Sequence, residues 1–160
     1  MNAFPSALAA LATAVVLHAA PAHAQDADTA VNIVYITPNE QCPAYERHFD
    51  EFRAAGVDDV VCFSVNDAFV MYQWRQRLGA DRVHFVPDGS GHFTRGMGMM
   101  VNKDHLGFGE RSWRYAMVVD DGVIRAFFEE PGRNDTGDDD DPYEVSDPET
   151  VLRWLAENPR

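Results

Sequence analysis

Val60-Val-Cys-Phe-Ser-Val-Asn-Asp-Ala-Phe-Val70 sets a short apolar run directly against a helix start. Val60 to Val65 is rich in β-branched side chains and polar only at Ser64, the pattern of a strand covered on both faces. Asn66-Asp67 supplies the side-chain oxygens that cap a helix, which runs to Leu78 and stops at Gly79. A buried strand passing so quickly into a helix is half of a parallel α/β unit.

The same alternation continues on both sides. Upstream, Val31 to Ile36 reads as another buried strand, Thr37-Pro38-Asn39-Glu40 punctuates, and Pro43 to Ala55 puts Tyr45, Phe49 and Phe52 on one helical face before Gly56 closes the helix. Downstream, Val83 to Val86 is a third strand, Pro87-Asp88-Gly89 a turn, and His92 to Met100 a short helix whose Met97, Met99 and Met100 form a packed edge. Trp113 to Val119 and Val123 to Phe128 flank Asp120-Asp121-Gly122, a hairpin signal. Pro148 opens a last amphipathic helix with Val151, Leu152, Trp154 and Leu155 turned inward. The expected fold is thioredoxin-like α/β, a central mixed sheet flanked by helices.

Residues 1–24 hold no Asp, Glu, Lys or Arg, and an apolar run there ends before Ala22-His23-Ala24, which has the form of a cleavage site. The reading is a secretory signal over 1–24 and one domain over 25–160, roughly 135 residues around a single core. Export predicts a periplasmic or secreted protein; without the signal the location is cytoplasmic. The apolar run is too short for a comfortable membrane span. A net charge of −13 repels nucleic acid and anionic membrane, so neither is expected as a partner. Asn134 to Asp141 concentrates acid and reads as a solvated loop, with a calcium site as the sharper alternative. His48, His84, His92 and His105 are not spaced as a ligand pair, and no metal is assigned.

The opening stretch, Phe85 to Met99, Leu106-Gly-Phe-Gly-Glu-Arg-Ser-Trp-Arg-Tyr-Ala-Met-Val-Val-Asp-Asp-Gly122 and Asp141-Pro-Tyr-Glu-Val-Ser-Asp147 closely resemble type-5 peroxiredoxins. The resemblance runs from about Cys42 to Leu155. It implies thiol-dependent reduction of hydroperoxides without a cofactor, with glutathione, glutaredoxin or thioredoxin as reductant. It also implies a homodimer, with Phe108 and Trp113 near the subunit contact. In the family a peroxidatic cysteine stands at the first turn of a helix behind a Pro-x-x-x-Thr-x-x-Cys loop. A distant arginine, here Arg114, lowers the thiol pKa and stabilises the peroxide oxygens.

This chain departs from that loop. Ungapped alignment puts Thr37 on the peroxidatic position, and a gapped one puts Glu40 there; a hydroxyl or carboxylate cannot supply the thiolate. The family's N-terminal hairpin is missing from the reading as well. Cys42, five residues after Thr37, has the spacing of a resolving cysteine; it could also be the reactive thiol itself, or a packed helix residue. Cys62 reads as core, and a Cys42 to Cys62 disulfide requires Cα atoms within about 7 Å. Three expectations stay open: a peroxidase, a non-catalytic module on the same scaffold, or a rearranged gene product whose first forty residues are foreign to the domain.

Overall fold

The structure is a computed structural model that describes residues 32–36, 41–136 and 141–159. The signal segment, the N-terminal hairpin, Thr37, Glu40 and the centre of the acidic loop fall outside the described residues. The elements are β1 (Asn32–Ile36), α1 (Gln41–Arg47), α2 (Phe49–Ala54), β2 (Asp59–Ser64), α3 (Ala68–Leu78), β3 (His84–Pro87), α4 (His92–Gly96), β4 (Met100–Asn102), β5 (Glu110–Ser112), β6 (Tyr115–Asp120), β7 (Val123–Glu129) and α5 (Pro148–Glu157). A single 3-10 turn is described at Asp104–Leu106.

The main sheet has five strands in the order β3-β2-β1-β6-β7. β1, β2 and β3 run parallel, β6 pairs antiparallel with β1, and β7 returns antiparallel to β6. This is the mixed, thioredoxin-like sheet that the alternation predicts. The period-two geometry of β6 splits the core between two faces. Ala116 and Val118 join Val34, Ile36, Tyr45, Phe52, Val151 and Leu155 on one side, whereas Tyr115, Met117 and Val119 join Met99, Val101 and Trp113 on the other. Both faces are therefore covered, which is why these strands read as nearly continuous apolar runs.

Local signals explain most boundaries. Asp67 caps α3 by accepting from the amides of Phe69 (2.8 Å) and Val70 (2.9 Å), and Gly79 closes it in the left-handed region. Asp121 and Gly122 both take positive φ, the geometry of a two-residue hairpin turn. Asp147 caps α5 through the Thr150 amide, with Pro148 in its first turn.

Three expectations need correction. The helix over Pro43 to Ala55 is broken at His48, whose ring bonds Glu51 at 2.9 Å and reaches Glu149 of α5 at 3.4 Å, tying the joint to the last helix. The helix expected from His92 to Met100 ends at Gly96, because Gly98 adopts φ +71° and Met100 enters β4, which pairs with β5 in a small second sheet. Trp113 is not available to a subunit contact: it lies within the second core and donates its indole N–H to the Glu130 carbonyl at 2.8 Å. Phe108 is exposed.

Candidate active site

In an open α/β sheet, functional groups gather where the parallel strands end and their helices begin. Here β1 ends at Ile36, whose register partners are Cys62 on β2 and Ala116 on β6. Arg114 is two residues before Ala116, so it stands at this same end of the sheet.

α1 starts at Gln41, and its fully buried side-chain amide donates to Ser146 Oγ (2.7 Å), the Ser146 carbonyl (3.1 Å) and the Tyr115 carbonyl (3.3 Å). The helix start is thereby tied to the residue beside Arg114. Tyr45, one turn on, donates its hydroxyl to the same Ser146 carbonyl at 2.9 Å; burial pushes its phenol pKa well up. Between them, Cys42 is bonded to Cys62, with Cα atoms 6.6 Å apart. The spacing condition for the pair is met, and the sequence's two cysteines are both consumed in it. Both are shut off from solvent within the first core.

Arg114 is 6% exposed, and the segment before α5 wraps its guanidinium. Arg114 donates to Asp141 Oδ2 at 2.8 Å and to the Pro142 carbonyl at 3.1 Å, and its carbon sits 5.2 Å from the Tyr143 ring centre. Arg114 is thus the ion-paired, stacked arginine that its fork geometry favours. Asp88, directly after β3, accepts from the amides of Phe93 (3.1 Å) and Thr94 (2.8 Å) and the Thr94 hydroxyl (2.7 Å). Burial pushes its carboxyl pKa up, but those donors outweigh it and hold the carboxyl below the usual range.

The sequence-predicted residues therefore meet unevenly. The start of Cys42's helix and Arg114 come to one end of the sheet, Cys42 is paired with Cys62, and Thr37 lies outside the described residues. Sequence reasoning misses Gln41, Glu130, Tyr143 and Ser146 as site residues. Glu130 looks in sequence like one of two adjacent acids at a strand end; only the fold reveals that it is buried. Among the described residues, no group of three or more His, Cys, Asp or Glu side chains is placed to hold a metal ion. No helix among them is long and apolar enough to cross a membrane.

A mixed sheet with a cysteine pair joining α1 to β2 and a buried arginine beside the α1 start defines a thioredoxin-like scaffold. The redoxin family profile matches residues 15–151, beginning inside the stretch read as a signal. The chain belongs to the redoxin family and, within it, to the type-5 peroxiredoxins. It is 57% identical over 113 residues to a peroxiredoxin of Synechocystis, covering 71% of this chain and 59% of that protein. It is 48% identical over 114 residues to the hybrid peroxiredoxin hyPrx5 of Haemophilus influenzae, covering 71% of this chain and 45% of that one. The solved structure of reduced Prx3 from Vibrio vulnificus superposes with a TM-score of 0.71 at 31% identity, covering 79% of this chain and 81% of that one. The chain spans less than two thirds of the length of the curated relatives it matches first.

Proposed function

We propose that the protein reduces hydroperoxides at the expense of thiols, with Cys42 and Cys62 as its redox pair. The supporting observation is their pairing: in a peroxiredoxin fold with two cysteines in its sequence, any thiol cycle runs through these two sulfurs. In the reduced protein the Cys42 thiolate attacks the distal peroxide oxygen, the O–O bond breaks, and the departing alkoxide takes a proton to give ROH. The Cys42 sulfenic acid then condenses with the Cys62 thiol, forming the disulfide and water. Two external thiols, from glutathione or a glutaredoxin- or thioredoxin-type protein, return the pair to the dithiol and leave as a disulfide. Arg114 stabilises negative charge on the leaving oxygen. On the ungapped alignment Thr37 takes the position of the family's peroxidatic cysteine, and on the gapped one Glu40 does.

The test is hydrogen peroxide consumption by the mature protein with glutathione or dithiothreitol, beside Cys42→Ser and Thr37→Cys. Turnover that disappears in Cys42→Ser is expected, as is faster turnover in Thr37→Cys. No turnover above buffer from folded protein would remove the reading. A second reading, a non-catalytic module on the same scaffold, is favoured by the complete burial of both sulfurs, which suits a structural cross-link.

The proposal extends to export and to a homodimer. An oxidising compartment is where such a disulfide persists, and the N-terminal sequence of the purified protein decides between cleavage after Ala24 and retention of residues 15–24. Phe69, Tyr72 and Phe108 offer exposed apolar surface for a second copy, which light scattering at graded concentration would detect.

A further inference from the structure

We infer that Glu130 is the positioning residue for Arg114, an inference that rests on the role given to Arg114 above. Glu130 follows β7 and is 1% exposed. A buried carboxylate is tolerated only where donors surround it. Its Oε2 accepts from the Glu144 amide at 2.8 Å, and its Oε1 accepts from the amides of Val145 (3.1 Å) and Ser146 (2.8 Å) and from the Ser146 hydroxyl (2.6 Å). Three consecutive backbone N–H groups therefore converge on one side chain. They belong to a segment outside any helix or strand, so no ladder fixes them otherwise.

That segment is the one that holds the guanidinium. Asp141, Pro142 and Tyr143, which bond or stack on Arg114, directly precede the three amides that Glu130 gathers. Glu130 is also joined to Arg114 through the backbone, its amide donating to the Arg114 carbonyl at 3.1 Å. The same carboxylate reaches the other half of the site, because the Ser146 hydroxyl that donates to it accepts from Gln41 at the start of α1. One buried acid thus sets both the arginine's cage and the helix that carries Cys42. Glutamine in its place has one accepting oxygen, and its amide would face N–H groups with donors of its own.

The test follows the Arg114 Nε–H resonance, assigned by its disappearance in Arg114→Lys, together with peroxide kinetics. In Glu130→Gln, with disulfide content and circular dichroism unchanged, the resonance should shift or broaden. The kcat/KM for peroxide should fall about 10- to 100-fold, the loss a displaced catalytic partner causes. Glu144→Pro, which deletes one of the amides meeting the carboxylate, should move the resonance in the same direction by less. A folded Glu130→Gln with the resonance unmoved would overturn the assignment. If that variant does not fold, amide exchange in the unaltered protein decides: protected amides at Glu144, Val145 and Ser146 support the anchor, and exchange at open-loop rates overturns it. A wild-type protein without turnover would remove the peroxidase reading, while the Arg114 resonance would still support or overturn the role of Glu130.

Discussion

Tyr143 Oη is the buried side-chain polar atom that, among the described residues, has no hydrogen-bond partner. Burial, then the nearby Asp147 and Glu149 carboxylates, push its phenol up to about 12 against the opposing pull of Arg114, so it remains a neutral donor through the physiological range. Leaving such a group unpaired costs about 1–3 kcal/mol. Tyr143→Phe keeps the ring over Arg114 and removes only the hydroxyl. The expected result is a gain of about 1 kcal/mol in urea unfolding, part of that penalty being recovered. A loss of stability instead would mean that the hydroxyl has a partner in solution. If the variant is more stable and also slower with peroxide, the hydroxyl meets the substrate, since strain of this kind is retained where it is used. None of this is legible in Asp141-Pro-Tyr-Glu-Val-Ser-Asp147, which carries the family resemblance but gives no sign of which side chains are buried.

At the scale of elements, helix ends are legible where a side chain caps its own helix and obscure where the cap comes from outside. Asp67 is visible in sequence because it is followed at once by its helix, whereas the start of α5 is read from Pro148 and its cap, Asp147, emerges only in the structure. α4 is different: its first amides are met by Asp88, which precedes it across a turn, and its early end depends on glycine geometry. The apolar spacing of the three methionines suggests a longer helix, yet Met99 and Met100 leave it to serve the second core and β4. Asp88→Asn should destabilise the protein by about 1–2 kcal/mol at neutral pH, because an amide bonds those donors less well than a carboxylate. The folded carboxyl is held below its unfolded value, near 3.8, so its stabilisation is fully present above that value and is lost as pH falls through the folded pKa. Urea midpoints of the two proteins should therefore converge below about pH 4. A constant gap from neutral pH down into strong acid would show that Asp88 acts by shape alone.

For the whole molecule, the sheet order is largely legible, since strand, helix, strand followed by a hairpin leaves few ways to cover both faces. The cross-link is not, because pairing depends on how α1 lies over β2, and two cysteines twenty residues apart are compatible with a core residue and a separate thiol. Its place in the fold gives it a large effect. α1 is seven residues long, too short to hold itself, and depends on Gln41 and Tyr45 bonding to Ser146, on Glu46 accepting from the Val83 amide at 2.9 Å, and on the Cys42 bond to Cys62. Closing a loop of this length removes unfolded-state entropy worth about 3 kcal/mol. Urea unfolding with the pair oxidised and reduced should differ by roughly that amount, with the reduced protein opening first. Hydrogen exchange should rise most over residues 41–47, because the noncovalent ties named above join α1 to other elements, whereas the disulfide fastens it to β2. If oxidised and reduced proteins unfold at the same urea concentration, the noncovalent ties alone hold α1, and the pair is free to cycle without disturbing the scaffold that presents Arg114.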